Sequence, residues 1–506
     1  MFMKSGNLIF AMALLVALAV PVSLAAQEHP EAHPYYKFVD LGALGGPQSS
    51  FNGLAVIINN KGVATGQADT TTKDPNYPNQ NPFIGPPDPF IEHPFRWKGR
   101  FPLVDMGAFP GTNSSVVNWL NDNGVAVGLS ENGTIDPLTG WPAATAALWT
   151  PGHPPESLET LSGGNESYAT LVNNAGLVAG TSANGTSDPY SMFGYGTQTR
   201  AVTWKNGMIK DLGTLGGPDA VPFDINDAGQ IAGFSYTNDS PNPVTTPCGK
   251  NIPTVDPFFW DGTKMINLGT FGGTCGIPNA LNNKGQVVGQ SDYKNENIFH
   301  PFFWTSPGPM QDLGTLGGSY GSATWINDAS EVVGYAALHD QFNHAFLWKP
   351  GQKKVKDLGI LKGDRCDAAW AINSKNQVIG DSGDCFTQSR PFLWESGAIY
   401  DLSTAFPSNY SQWSEAVFIN DHGEIAGNVI LQNGEMHAYL LIPCKAGTKG
   451  CKRVTAGTAA HSAVVTQNPT AMRQSGQSIS DGMAAIRARL NRRYPFSRLF
   501  GTDQPK

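Results

Sequence analysis

Three short phrases return in the same order along this chain, and this periodicity restricts the possible folds more than any other feature. In the clearest copy, DLGTLGG begins at Asp312, ATWINDASEVVG at Ala323 and HAFLW at His344, and the next DLG follows at Asp357. A supersecondary unit that is repeated in this way cannot bury its apolar face alone, so it must pack against its neighbours.

The spacing of the copies suits one four-stranded unit per repeat. Neighbouring copies of the central Asn are 45 residues apart at the closest, from Asn282 to Asn327, and 62 at the widest, from Asn59 to Asn121. One blade of a β-propeller takes about 40 to 50 residues before insertions. The Asn copies are Asn59, Asn121, Asn173, Asn226, Asn282, Asn327, Asn373 and Asn420. The aromatic phrase ends at Trp97, Trp149, Trp204, Trp260, Trp304, Trp348, Trp394 and Leu441, and the DLG phrase begins at Asp40, Asp105, Asp211, Asp312, Asp357 and Asp401, with degenerate copies at Ser157 and Asn267.

Each phrase has the composition of a short strand between turns. Runs such as 286–288 and 345–348 are β-branched and aromatic, and Gly, Asn, Asp or Pro flank them. We name the strands of a unit A (the Asn phrase), B (the VVG phrase), C (the HAF phrase) and D (the DLG phrase). The chain has 58 Gly and 37 Pro among 506 residues, which disfavours long helices because both residues destabilise a helix interior.

The Asn phrase predicts a tight turn between strands A and B. In Asn226-Asp227-Ala228-Gly229, the Asn side chain can bond the backbone two residues on, and Gly can take a positive φ. We therefore interpret the eight Asn as turn residues, with a ring of ligand-binding Asn as the alternative.

The two ends of the repeat array complement each other. The array opens at Tyr35 with a D strand that has no C strand before it, and it ends near Pro443 with a C strand that has no D strand after it. Pairing 38–39 beside 439–440 would remove both exposed edges. We predict an all-β fold, an eight-bladed β-propeller of four-stranded blades that its N-terminal strand closes; a seven-bladed propeller or an open β-repeat array is the alternative.

The phrases DLGTLGG, INDxGxVVG and HAFLW resemble the bacterial extracellular HAF repeats, named after the triplet seen here at His344-Ala345-Phe346. The resemblance covers 35–443, although some copies depart from the pattern, such as AALW at 146–149 and SLETLSGG at 157–164. It implies export and a repeat architecture, and it implies no activity.

The termini predict an exported protein. Residues 1–25 have the Lys, the apolar run and the small-residue end of a signal peptide, with an N-terminal membrane anchor as the alternative. Residues 26–34 are expected to be a flexible leader, and 444–506 a basic tail with a short helix near 479–490. We expect a secreted or periplasmic protein without stable membrane insertion, and a net charge of -8 gives no electrostatic footprint for nucleic acid.

Six cysteines in an exported chain predict disulfides, although many connectivities are possible. They fall as neighbours: Cys248 with Cys275, Cys366 with Cys385, and Cys444 with Cys451. In an antiparallel unit the B-to-C and D-to-A loops share one face, which we call the loop face; the A-to-B and C-to-D turns define the turn face. The first two pairs would meet on the loop face.

Long insertions are confined to the B-to-C loops, so all of them lie on the loop face. They span 69–92, 131–142, 182–199, 236–255 and 292–298. Aromatic side chains on such loops suit stacking on sugar rings or contact with a protein partner, while the alternative is that these rings pack beneath their own loops. The candidate binding residues are Tyr77, Phe83, Trp141, Tyr190 and Tyr195.

The sequence contains no catalytic, cofactor-binding or metal-binding motif that we recognise. A propeller can still carry two carboxylates at its mouth, as a glycosidase requires. The candidates are Asp364, Asp367, Asp381 and Asp384, with loop capping as the alternative role. The predicted function is therefore a secreted binding or scaffold module for a polysaccharide or an extracellular protein, and the second possibility is a secreted carbohydrate-active hydrolase or lyase.

Overall fold

The computed structural model describes residues 34–457, except 54, 112–113, 244–247, 250, 295–297, 386–388 and 409. The expected signal peptide and the expected helix near 479–490 lie outside these residues. The described chain is built of strands, with one 3-10 helix at Leu402–Ala405. No helix in this described part has the length and apolar character needed to cross a membrane.

The first four repeats, which we call units 1 to 4, follow a single N-terminal strand. Strands are numbered in chain order, and β1 is Tyr35–Asp40. Unit 1 contains β2 Gly45–Ser50, β3 Ala64–Lys73, β4 Phe90–Trp97 and β5 Val104–Asp105; unit 2 contains β6 Ser115–Leu120, β7 Ala126–Ile135, β8 Pro142–Trp149 and β9 Glu156–Ser157. Unit 3 contains β10 Ser167–Val172, β11 Val178–Ser187, β12 Thr197–Lys205 and β13 Met208–Asp211; unit 4 contains β14 Ala220–Ile225, β15 Ile231–Tyr236, β16 Val255–Trp260 and β17 Met265–Asn267.

Units 5 to 8 repeat the same order. Unit 5 contains β18 Gly272–Leu281, β19 Gln286–Tyr293, β20 Phe299–Thr305 and β21 Gln311–Asp312; unit 6 contains β22 Gly317–Ile326, β23 Val332–Leu338, β24 Asn343–Trp348 and β25 Lys356–Asp357. Unit 7 contains β26 Cys366–Ile372, β27 Val378–Gly383, β28 Ser389–Glu395 and β29 Ala398–Asp401; unit 8 contains β30 Tyr410–Ile419, β31 Ile425–Leu431 and β32 Met436–Pro443. Two short strands follow, β33 Cys451–Arg453 and β34 Thr455–Gly457.

Within each unit the strands pair antiparallel in the order A-B-C-D, as the sequence predicts. Unit 2 is a separate sheet in the order β6-β7-β8-β9, whereas some neighbouring units are joined by a single parallel bridge from strand C to the next strand A. The fold is thus all-β and is made of four-stranded antiparallel sheets.

The N-terminal strand supplies the fourth strand of unit 8. β1 runs antiparallel to β32, with Val39 opposite Leu440 and Phe38 opposite Leu441, which is the pairing expected from the sequence. β33 pairs with the other edge of β1, and β34 pairs with β29. The β-structure therefore continues to Gly457, beyond the boundary at 443 that the sequence analysis placed at the end of the repeats.

A hydrogen bond between the first residue of the HAF phrase and the first residue of the DLG phrase joins strands C and D. In unit 1, Nδ1 of His93 lies 3.0 Å from the carboxylate of Asp105. In unit 8, Nδ1 of His437 lies 2.8 Å from Oδ1 of Asp40, a residue of β1. This bond raises the pKa of His437. The HAF phrase and the DLG phrase thus recur together, because the His of the first binds the Asp of the second.

The recurring Gly of strand B leaves room for a bulge in strand A and for the Phe of strand C. A Cβ on Gly334 would lie 2.0 Å from the carbonyl oxygen of Ser322 and 3.0 Å from the ring of Phe346. The register of strand A shifts beside this position, between Ala323 and Trp325. Such bulges bend a strand and change the direction of its side chains. Gly is required at position 334 because a Cβ there would overlap the carbonyl of Ser322 and crowd the ring of Phe346.

The Asn at the end of each A strand holds its own turn and also the next unit. In unit 3, Oδ1 of Asn173 accepts the N–H of Leu177 at 2.9 Å, and its Nδ2 donates to the carbonyl of Asn226 in unit 4 at 3.0 Å. The same Nδ2 bond occurs between successive units along the array, and in the last step Asn420 donates to the carbonyl of Asn59 at 3.0 Å. The last of these bonds therefore joins unit 8 to Asn59 of unit 1.

All three expected disulfides are present. The Cα atoms are 5.6 Å apart for Cys248–Cys275, 5.2 Å for Cys366–Cys385 and 6.1 Å for Cys444–Cys451. The first two join a B-to-C loop to an A strand on the loop face. The sequence placed Cys275 and Cys366 in D-to-A loops, but they lie within β18 and at the start of β26 because these strands begin earlier than predicted.

We expect Asn173→Ala to lower the free energy of unfolding by about 1 to 2 kcal/mol, because it leaves the half-buried N–H of Leu177 without its partner and removes one of the two hydrogen bonds to the buried carbonyl of Asn226. The control is Asn433→Ala, since Asn433 is exposed and bonds only within its own loop; its expected cost is below about 0.5 kcal/mol. Chemical denaturation measures both, and equal costs would contradict the inter-unit role.

Candidate functional site

The loop face holds a cavity of about 650 Å³ that residues of four units line. Unit 1 contributes most of the wall, from 48–52, from Gln67 and from 78–92. Units 2, 3 and 8 add Trp141, Tyr168 and Asn428 among others. The cavity therefore forms where the array of units begins and ends.

The first three insertions share an Asp-Pro turn, in which the Asp side chain fixes the backbone of the loop. Oδ1 of Asp74, Asp136 and Asp188 each accepts the backbone N–H two residues on, at 2.7, 2.7 and 2.9 Å. An Asp that bonds its own backbone in this way fixes the turn without further contacts. The sequence analysis did not use this shared dipeptide.

Carboxylates of the next units clamp these loops. Asn76 of the first insertion donates to Glu131 at 3.2 Å, and Asn81 donates to Glu166 at 3.4 Å. In the third insertion, the N–H of Met192 donates to Asp219 at 2.6 Å. Burial raises the pKa of Glu166 to about 8. The loops are thus held over the neighbouring units by buried acids.

The polar part of the cavity wall is rich in side-chain amides. Asn52 donates to the carbonyl of Val117 at 2.6 Å, and Asn428 bonds both the N–H and the carbonyl of Phe51. These bonds fix the amides of Asn52 and Asn428 in position. Oε1 of Gln67, by contrast, is buried and has no hydrogen-bond partner among the described residues.

Two carboxyl groups lie directly opposite each other beside this cavity. Asp69 of β3 is paired with Glu92 of β4 in the antiparallel register, so their side chains project on the same side of the sheet, and opposed Cβ atoms lie about 5 Å apart. Glu92 lines the cavity, whereas Asp69 is only 1% exposed. A like-charge pair in this position destabilises the fold unless something compensates it.

Burial and mutual repulsion keep this pair protonated to unusually high pH. Burial and the nearby carboxylate of Asp88 raise the pKa of Asp69 from 3.8 to about 7. Burial, together with Asp69, Asp88 and Asp74, raises the pKa of Glu92 from 4.5 to about 8. Oδ2 of Asp69 accepts the N–H of Gln48 at 3.0 Å, but its Oδ1 is buried without a hydrogen-bond partner in the described part of the chain. Such perturbed pairs beside a cavity are typical of functional sites.

The five aromatic candidates divide into exposed and buried residues. Tyr77 and Tyr190 are 51% and 38% exposed, and Trp141 is half-buried at the cavity. Phe83 and Tyr195 are buried in one cluster with ring centroids 5.3 Å apart, although the edge of Phe83 reaches the cavity. The expectation of surface binding therefore needs correction for Tyr195, because the insertions pack on each other and cover its ring.

Three of the four predicted aspartates accept hydrogen bonds from elsewhere in the fold. Asp364 accepts hydrogen bonds from Ser382 and Arg390. Asp367 is buried and accepts the N–H of Ala345, and burial raises its pKa to about 7. Asp381 binds the N–H of Ala416 and the indole of Trp370, and Asp384 is partly exposed near Cys385. Asp367 and Asp381 thus link neighbouring units. This is a structural role, and it differs from the catalytic carboxyl pair at the mouth of a propeller that the sequence suggested as a candidate.

The turn face carries a second cavity of about 270 Å³, lined by the A strands and Asn phrases of all eight units. Strand A, and not strand C, thus lines this cavity in every unit. The residues after the Asn form a regular series of alternating amide or hydroxyl and carboxylate side chains: Asn60, Asp122, Asn174, Asp227, Asn283, Asp328, Ser374 and Asp421. Their side chains bond one another across units.

Asp69 and Glu92 are not among the site residues predicted from the sequence, where they only limit the first insertion. Comparing equivalent positions in the repeats would have singled them out. At the position of Glu92 the other units have Ala144, Thr199, Val255, Phe299, Asn343, Ser389 and Met436, and at the position of Asp69 only Glu131 and Asp292 are also acidic. Unit 1 alone has a carboxyl group at both positions.

The chain is an all-β protein of repeated four-stranded antiparallel sheets, and solved structures similar to it are β-propeller proteins. No family model and no curated protein matches the chain. The β-propeller domain of the Trilobed protease from Pyrococcus furiosus is 8% identical, with a TM-score of 0.40, and the match covers 65% of this chain and 97% of that domain. A Mycobacterium tuberculosis puromycin-hydrolyzing peptidase is 12% identical, with a TM-score of 0.41; the match covers 79% of this chain and 61% of the peptidase. A Trypanosoma rangeli sialidase in complex with the inhibitor DANA is 10% identical, with a TM-score of 0.29, over 57% of this chain and 56% of the sialidase.

We expect the free energy of unfolding to fall as the pH rises from about 5 to about 8. The folded-state pKa of Glu92 is about 8 and that of Asp69 about 7, both above their usual values. Their stabilising contribution is therefore complete below about pH 4 and is lost as the pH rises through the folded-state values. Thermal unfolding across this range should show the fall, and Glu92→Gln should remove part of it.

The control for this pH dependence is Glu156→Gln, on the exposed strand β9. This variant should follow the unsubstituted protein at every pH. A Glu92→Gln variant with an unchanged pH profile would mean that the pair does not hold its proton.

Proposed function

We propose that this chain is an exported member of the HAF-repeat family, folded as an eight-bladed propeller that β1 closes, and that it binds an extracellular glycan in the loop-face cavity. The observation that carries the binding proposal is the composition of the cavity wall. The fixed amide of Asn52 lines the same cavity as the aromatic side chains of Phe83 and Trp141. Amides suit hydroxyl groups and aromatic faces suit the apolar faces of sugar rings, as expected of sites with a few fixed polar groups in an apolar wall.

Closure of the ring is supported by two independent contacts between the ends of the array. Asn420 bonds the carbonyl of Asn59, and His437 bonds Asp40 of β1. The second contact repeats the bond between His93 and Asp105, which lie within unit 1. An open array would leave the edges of β2 and β32 without partners, and exposed edges invite aggregation.

Export is supported by the compartment that the disulfides require. Three disulfides join all six cysteines of the sequence, and such bonds form and persist in oxidising compartments. The apolar N-terminal segment predicted as a signal peptide is consistent with that compartment.

A hydrolase on the same scaffold is the second candidate, and the carboxyl pair is the observation that favours it. Hydrolysis of a glycosidic bond needs two carboxyl groups that both reach the sugar. Glu92 lines the cavity, but Asp69 is 1% exposed and lies behind the wall. The geometry therefore supports binding better than turnover.

A double-mutant cycle tests the closure. We expect Asp40→Ala and His437→Ala to show a coupling free energy of up to about 1 kcal/mol at pH values where His is charged. The matched cycle of Asp105→Ala and His93→Ala, within unit 1, should give a similar value. No coupling for the first pair together with coupling for the second would rule out closure by β1.

A glycan array followed by calorimetry tests the binding. Trp141→Ala should weaken the best glycan by about tenfold or more, because it removes the aromatic face, while Trp141→Phe should retain most of the affinity. Tyr190→Ala is the control, since Tyr190 is exposed on the third insertion and outside the cavity wall. Equal losses for Trp141→Ala and Tyr190→Ala would place the site elsewhere, and release of reducing sugar would favour the hydrolase.

A further inference from the structure

The cavity on the loop face has a cluster of carboxyl groups at one end. Asp88 and Glu92 line the cavity, Asp69 and Asp74 are buried nearby, and each of the other three acts on the pKa of Glu92. None of these four carboxyl groups forms an ion pair with Lys, Arg or His within the described residues.

A neighbouring lysine does not fill this role. The ammonium group of Lys73 lowers the pKa of Asp69 in part, but it lies 3.4 Å from the ring centroid of Phe90, where the aromatic face holds it. Asp69 keeps its raised pKa in spite of this contribution. No cationic side chain of the described residues is therefore paired with these carboxyl groups when they ionise.

A second observation points to a ligand group beyond the acidic cluster itself. Oδ1 of Asp69 has no hydrogen-bond partner in the described chain, although Asp69 is 1% exposed. Asp69 projects on the same face of β3 as Gln67, two residues earlier, whose Oε1 is also buried and without a partner and whose side chain lines the cavity. Buried acceptors without donors cost about 1 to 3 kcal/mol each, so Oδ1 of Asp69 and Oε1 of Gln67 can each accept one further hydrogen bond.

One chemical group supplies both the missing positive charge and the missing donors, namely a protonated amine. An ammonium group carries three N–H donors and one positive charge. A bare metal ion is a poorer match, because no grouping of three or more His, Cys, Asp or Glu among the described residues is arranged to hold one. The aromatic edges of Phe83 and Trp141 in the same wall also favour a cation that is part of an organic molecule.

We infer that the ligand of this cavity is a glycan with free amino groups, and that an ammonium group of the glycan binds to Glu92 and to Oε1 of Gln67, two residues that line the cavity next to the buried Asp69. This inference rests on the proposed glycan-binding function and adds the class of sugar. The side chain of Asn52 then contacts hydroxyl groups, while the acidic end selects the amine. An N-acetylated sugar has no positive charge on its nitrogen, and it places the methyl group of the acetyl group at the position of the ammonium group.

The test compares chitosan oligosaccharides, which have free amines, with fully N-acetylated oligosaccharides of the same length by isothermal titration calorimetry near pH 6 on the mature chain. We expect the free-amine form to bind at least about tenfold more tightly. Binding should also release a proton to the buffer, because the ammonium group favours the ionised carboxylates. Titration in buffers with different ionisation enthalpies measures that proton.

Glu92→Gln and Asp69→Asn should each abolish the preference for the amine and the proton release, while both proteins keep their unfolding temperature or gain stability. Glu156→Gln, on an exposed strand, is the matched control and should retain both properties. Equal affinity for the two oligosaccharides, or a preference that survives both substitutions, would overturn the inference. Binding of uncharged glycans alone would overturn it and leave the proposed function standing, whereas binding of no glycan would overturn both.

Discussion

A side-chain amide that joins each unit to the next is the interaction on which the rest of the structure depends. The Asn at the end of strand A closes its own A-to-B turn through Oδ1 and reaches the next unit's turn through Nδ2, as Asn173 does with Leu177 and Asn226. One residue therefore couples local turn geometry to the placement of the neighbouring sheet. The bond to Asn226 is buried and the bond to Leu177 is half-buried, so losing either weakens the hydrogen bonding of the backbone. The inner ends of the units are thereby held in a defined arrangement, and this arrangement positions the loops on the other face.

The loop face uses buried carboxyl groups for two different purposes. Glu166, Asp219 and Asp367 accept N–H groups from a neighbouring unit or its insertion and act as clamps. Asp69 also caps a backbone N–H, but Glu92 stands opposite it and one oxygen of Asp69 has no partner among the described residues. Each clamp is bonded to a neighbouring unit, whereas Glu92 lines the cavity with Asp69 directly opposite it. Glu166 and Asp367 also have one buried oxygen without a partner among the described residues, so position at the cavity is what separates the candidate binding site from structural acids with similarly raised pKa values.

Sequence reasoning succeeded where the determining interaction is local or is repeated. The turn at Asn226 and the pairing of Val39 with Leu440 follow from motifs and from what each end of the array lacks. It failed at the site for two reasons. The ring of Tyr195 has the composition of a binding residue, but its burial depends on how separate insertions pack together. Asp69 and Glu92 are 23 positions apart on either side of a long loop, so only the register of β3 and β4 shows that they are opposed.

The sequence by itself determined the unit: four short strands, their order, the turn chemistry, the neighbouring cysteine pairs and the face on which the insertions lie. These depend on strand periodicity, on the φ preferences of Gly and Asn, and on the parity of antiparallel connections, all of which can be read within one repeat. Only the tertiary structure decided that strand A lines the cavity of the turn face, that the insertions cover some aromatic rings and leave others exposed, and that a cavity forms among units 1, 2, 3 and 8. The physical reason is that burial and unsatisfied hydrogen-bonding groups are properties of contacts between units, and no single repeat contains those contacts.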